Sequence, residues 1–169
     1  MQLSDIQPNI YPVRLLMDCD SGLCLFGAGF YGANDAIHMF RTSLPYVQVV
    51  DIDAEKIAVM EEMYPSEWVF TVADIRTWVP NVANTQVLSW DIVSVDAQQS
   101  MFPWVLSNFD TIAKLANKYI VLTMSTELGE EVAYYTDIPE WKQIAQITRS
   151  LSGLIELLVY ERVPAGAAA

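Results

Sequence analysis

Three aspartates at even spacing, each closing a short apolar run, limit what this chain can become. VQVVD ends at Asp51, WVFTVAD at Asp74 and WDIVSVD at Asp96. Asp74 follows Asp51 by 23 residues, and Asp96 follows Asp74 by 22. A strand, a turn, a helix of about ten residues and a second turn fill such an interval. Runs this short, rich in Val and Ile, suit parallel strands buried on both faces. Six of them stand at 22–27, 47–52, 67–72, 90–96, 119–124 and 154–161.

Helical patterns lie between the runs. In 33–43 and just beyond it, Ile37, Phe40 and Leu44 share a side. Residues 54–63 follow Asp53, a good N-cap, and turn Ile57, Met60 and Met63 to one side. Pro103 suits the first turn of a helix running to about residue 117. Asp137-Ile138-Pro139-Glu140 joins an acid cap, a first-turn proline and a Glu that completes a capping box. It predicts a helix carrying Ile144, Ile147 and Leu151 toward a core. The expected fold class is α/β: a Rossmann-like, doubly wound, mostly parallel sheet with helices on both faces. Residues 21–163 read as one domain, 1–20 as an N-terminal extension and 164–169 as a tail. The 125–137 segment, with Tyr134 and Tyr135, is long enough to be a binding loop or lid.

The turn after the first run reads GAGFYG, with glycines at 27, 29 and 32. Gly27 permits a tight exit from the strand, Gly29 lets a ligand approach the backbone, and Gly32 lets the helix pack close. The helix N-terminus then favours an anionic group. Asp51 follows Gly29 by 22 residues, where an acid accepts hydrogen bonds from ribose hydroxyls. Helix capping is the competing use of each aspartate. Asp53 fits it well, which leaves Asp51 for the sugar. Three acids at strand ends, together with the glycine turn, point to a nucleoside site.

These motifs resemble those of the class I S-adenosylmethionine-dependent methyltransferases over roughly residues 20–125. LFGAGFYG is similar to their glycine motif, which implies cofactor contacts from Gly27, Ala28, Gly29, Phe30 and Tyr31. VVDID matches the second motif, implying a ribose-holding Asp51 with Ile52 beside it. VADI matches the third, implying that Asp74 and the backbone of Ile75 meet the adenine edge. WDIVSVDA matches the fourth, implying Asp96 near the methionine end. Asp96 is then the candidate general base, or it holds the cofactor's amino group. The small size is similar to phage- and bacterium-encoded members that are little more than the core domain.

The chain departs from that pattern in three places. Leu25 stands where the family carries an acid. The fourth motif, VDAQ, lacks the Pro-Pro-Tyr used for amino methylation of nucleic-acid bases. No run after 154–161 is a clear seventh strand, and the N-terminal 20 residues could cover the exposed edge. The resemblance implies methyl transfer to a small molecule or, second, to a protein. A non-catalytic protein of the same fold, serving as a partner subunit, is the alternative. A nicotinamide-nucleotide protein fits the glycine spacing but lacks a visible second half-domain.

Charge narrows the partners. Nine basic residues face 21 acidic ones, a net of −12, and the basic residues form no stripe. Direct nucleic-acid binding is therefore not expected. No apolar run reaches the ~18 residues of a membrane span. Two cysteines, Cys19 and Cys24, and an N-terminus unlike a secretory signal suggest a reduced pair and a cytoplasmic location. No Cys/His cluster has metal-ligand spacing, and His38, the one histidine, reads as a surface residue. Trp104 and Tyr134 are candidates to wall a substrate pocket.

Overall fold

The computed structural model describes residues 13–26, 40, 43–64, 67–97, 99–126, 139–150 and 154–163. A short 3-10 helix (Val13–Asp18) leads into β1 (Ser21–Leu25). Then come β2 (Tyr46–Asp51), α1 (Ala54–Met63), β3 (Val69–Val72) and α2 (Ile75–Thr85). β4 (Trp90–Ala97) passes through a 3-10 turn into α3 (Phe102–Ser107) and α4 (Phe109–Ala113). β5 (Ala116–Thr126), β6 (Trp141–Ser150) and β7 (Leu154–Arg162) complete the chain. The seven strands form one sheet in the order β3-β2-β1-β4-β5-β7-β6. β1 to β5 pair in parallel, whereas β7 runs antiparallel to both β5 and β6.

Alternate residues of the central strands enter opposite cores, as strand geometry requires. Leu23, Leu25, Val50, Val93 and Val95 join Ile75 and Val79 of α2 and Phe109 and Ile112 of α4 on one face. Cys24, Val49, Ile92 and Val121 join Ile57 and Met60 of α1, with Phe40, Leu44 and Leu16, on the other. Fully burying a side chain such as Leu23 or Ile92 stabilises by about 1.5–3 kcal/mol. Gly22 has a packing reason: a Cβ there would sit 2.7 Å from both Leu44 Cδ1 and Phe40 Cε2. Tyr64 and Trp68 stack at 5.2 Å, closing the turn between α1 and β3.

Within the predicted helix from 137 to 151, residues 141–150 are a strand. They form β6, paired along their length with β7. Glu140 does not complete a capping box. It takes φ 68, a left-handed turn conformation, and its carbonyl accepts from the Val163 N–H at 2.7 Å. Two strands joined by only three residues, 151–153, pair antiparallel without a crossover, and that pairing overrides the local helix signal. The run read at 154–161 is β7, and it is antiparallel. It lies between β5 and β6, and β6 is the strand that the sequence did not reveal. The helix opened by Pro103 also ends early. It breaks at Asn108, whose side chain donates to the Trp104 carbonyl at 2.8 Å, and it stops at Ala113. The first predicted helix apart from Phe40 and Ser43, and the loop with Tyr134 and Tyr135, lie outside the described residues.

Candidate functional site

β1 lies between β2 and β4, and the chain reverses its direction of growth there. From β1 it proceeds outward to β2 and β3, then returns to β4 on the other side. Ligands of open α/β sheets bind at such a switch point, beyond the carboxyl ends of the strands. Leu25 pairs with Val50 on one side and Val95 on the other. Asp51 and Asp96 are each one residue further, so they flank Phe26 at the end of β1. Leu25 itself is 1 % exposed and belongs to the core.

Phe26 takes φ 59, uncommon for any residue with a side chain and a genuine outlier for a bulky one. Its ring packs onto the core beneath α2 and α4. The backbone thus turns sharply immediately before Gly27. Gly27, Ala28, Gly29, Phe30 and Tyr31 lie outside the described residues, as do Asn34, Asp35 and His38.

Of the two acids at the end of β2, Asp53 takes the helix cap that its position predicts. Asp53 caps α1, accepting from the Lys56 N–H at 3.2 Å. Asp51, half-buried, accepts from the Asp53 N–H at 3.0 Å through Oδ1, which orients its carboxylate at the strand end. Ile52 beside it is 65 % exposed, an apolar surface next to the acid.

Asp74 has a complete structural explanation. It caps α2 through the Arg76 N–H at 3.0 Å and grips the Arg76 guanidinium at Nε (3.1 Å) and Nη2 (2.8 Å). Those hydrogen bonds hold its carboxyl below the ordinary carboxylate range. Ile75 beside it is buried in the core.

Asp96 is half-buried near the end of β4, paired in register with Thr123 of β5. Two residues earlier on the same strand, Ser94 is 1 % exposed, and its Oγ has no protein partner. Cys24 of β1 and Val121 of β5 are its in-register neighbours. Burial pushes the Cys24 thiol well above its usual range, and the Asp96 charge pushes it further. The sequence did not single out Phe26 or Ser94. A serine inside the apolar run IVSV was the available signal for the second.

Trp104 is half-buried and packs against the core of α2 and α4. Among the described residues no group of three His, Cys, Asp or Glu side chains could hold a metal ion. Among the same residues no helix is long and apolar enough to cross a membrane.

No protein-family model and no curated protein sequence matches this chain. Its fold does match solved structures. An O-methyltransferase from Bacillus cereus, in complex with S-adenosylhomocysteine, superposes with a TM-score of 0.65 at 9 % identity, covering 95 % of this chain and 88 % of that one. An rRNA methylase from Streptococcus thermophilus gives 0.62 at 9 % identity, covering 96 % and 98 %. Magnesium protoporphyrin IX methyltransferase from Synechocystis PCC 6803, with bound S-adenosylmethionine, gives 0.62 at 11 % identity, covering 95 % and 77 %. The chain has an α/β Rossmann-like fold, as these methyltransferases do.

Proposed function

We propose that this chain binds S-adenosylmethionine across the carboxyl ends of β1, β2 and β4 and transfers its methyl group to a small molecule. The observation that carries the reading is the pair of carboxylates, Asp51 and Asp96, set on either side of the turn at Phe26. The residues present fit the cofactor. Asp51 offers acceptor oxygens to the ribose hydroxyls, exposed Ile52 an apolar surface to the adenine, and Asp96 a counter-charge to the amino end. Asp74 reaches the adenine edge only if it shares its carboxylate with Arg76. When bound, S-adenosylmethionine supplies an electrophilic methyl carbon whose bond to sulfur breaks as the bond to the acceptor forms.

The chain's own contribution is positional. The parallel sheet fixes both carboxylates, which would hold a bound S-adenosylmethionine with its methyl group presented to an acceptor above β4. Asp96 is within reach of the same end of the crevice, where it takes the acceptor's proton or holds the amino group.

The test is calorimetry with S-adenosylhomocysteine and, as a control, NAD. The first binds and the second does not. Asp51→Ala loses affinity at least tenfold with little change in Tm. Asp53→Ala, which removes the α1 cap, lowers stability by about 1 kcal/mol and leaves affinity intact. If NAD binds instead, or Asp51→Ala binds normally, the reading fails. The non-catalytic alternative is favoured by Leu25, buried where the related enzymes carry an acid. A protein that binds S-adenosylhomocysteine yet releases no methyl to any acceptor supports that alternative.

A further inference from the structure

Ser94 is the one buried polar or charged residue among the described residues, in a sheet whose other buried side chains are aliphatic, aromatic or Cys. Its hydroxyl makes no hydrogen bond to protein. A buried hydroxyl without a partner carries its full desolvation cost, and an alanine or valine at the same place would not. Such orphans in otherwise apolar cores call for a specific explanation, often a bound water or a functional role.

Its location supplies one. Ser94 sits on the central strand β4, directly below the candidate crevice. Strand alternation places it on the same face as Asp96, two residues on and about 6.5–7 Å further along. That gap is too long for a direct bond between the backbone positions. One water bridges polar atoms up to about 5.6 Å apart when each hydrogen bond is about 2.8 Å, and the reach of the two side chains closes the remaining ångström or so. The neighbours in register, Cys24 and Val121, offer a weak thiol donor and no polar atom. Asp96 is half-buried and so reachable by a water from the crevice.

We infer that Ser94 is a positioning residue, holding Asp96 from below through a single water so that its carboxylate meets the amino-acid end of the bound ligand. This rests on the nucleoside reading above and goes beyond it, because it assigns a role to a residue that never touches the ligand. The water accepts from the Ser94 hydroxyl and donates to the carboxylate. It restricts Asp96 to one orientation before the ligand arrives.

The test compares two ligands and two nearly isosteric variants. S-adenosylhomocysteine carries the amino-acid chain, and 5′-methylthioadenosine lacks it. Ser94→Thr and Ser94→Val differ only in hydroxyl against methyl. Ser94→Val should weaken S-adenosylhomocysteine about three- to tenfold. It should leave 5′-methylthioadenosine unchanged, and Ser94→Thr should bind both like the wild type. Asp96→Asn should show the same selective loss as Ser94→Val. If the added methyl disturbs packing, as a fall in Tm of both variants would show, Ser94→Ala provides the same comparison without added volume. Equal losses for both ligands, or equal losses for threonine and valine, overturn the inference by making Ser94 a packing residue. A crystal structure with no water within hydrogen-bond distance of Ser94 Oγ does the same. Wild-type protein that binds neither ligand overturns the nucleoside reading and this inference together. Wild-type binding that Ser94→Val and Ser94→Ala leave untouched overturns this inference alone.

Discussion

Cys24, Cys19 and Tyr119 are each held protonated chiefly by burial. Cys24 lies in the middle of β1, where burial first and Asp96 second disfavour its thiolate. Cys19 precedes the same strand, and its thiol is pushed up to about 12, by burial first and then by Asp91. Tyr119 is raised by burial and then by Glu161. In each case the folded pKa lies above the unfolded one, so the native state keeps a proton that the unfolded chain releases. Stability is therefore full below the unfolded thiol pKa, about 8.5, and declines as pH rises beyond it. Urea midpoints measured at pH 7 and pH 10 should fall for the wild type, and the fall should shrink in Cys19→Ala and Cys24→Ala. Equal midpoints at the two pH values would show that these groups titrate alike folded and unfolded. Native protein should also leave both thiols unreactive at pH 8, because the nucleophile is the thiolate.

At the scale of elements, the decisive segment is Trp141–Ser150. Glu140 precedes it at φ 68, a conformation that glycine accepts freely and proline cannot adopt. Glu140→Pro should destabilise by about 3 kcal/mol or more in urea unfolding, and Glu140→Gly should be neutral or stabilise by up to about 1 kcal/mol. Were this segment a helix beginning near Asp137, a proline at position 140 would fall in its first turn and be tolerated. A benign Glu140→Pro thus restores the helix and removes β6. The parallel strands were readable because their apolar runs are short, and three of them lead into an aspartate. β6 was not, because Ile144, Ile147 and Leu151 also fit helical spacing. A register shift between Gln143 and Ala145 further breaks the period-two pattern. The capping of α1 by Asp53 was legible from local chemistry. The meeting of Asp51 and Asp96 beside Phe26 was not, since it depends on the β1–β2 and β1–β4 registers. Nor does spacing alone show that Asp74 is engaged by Arg76, two residues away.

At the scale of the molecule, 21 acidic and nine basic residues create a negative field, and the candidate site adds Asp51, Asp53, Asp74 and Asp96 at one end of the sheet. S-adenosylmethionine carries a sulfonium and is cationic overall at neutral pH, whereas S-adenosylhomocysteine is a neutral zwitterion. A field of one sign attracts the charged ligand and acts little on the neutral product. Salt shortens the reach of that field, to about 10 Å at 0.1 M and about 3 Å at 1 M. Raising sodium chloride from about 20 mM to about 500 mM should therefore weaken S-adenosylmethionine several-fold and change S-adenosylhomocysteine much less. Stopped-flow measurement should place most of the change in the association rate, because steering acts before contact. Parallel salt dependence for both ligands would mean that discrimination comes from contacts at Asp51 and Asp96 and not from the net charge. Strong dependence for the cation alone would give the acidic surface a role in the catalytic cycle: it draws in the charged methyl donor and lets the neutral product leave.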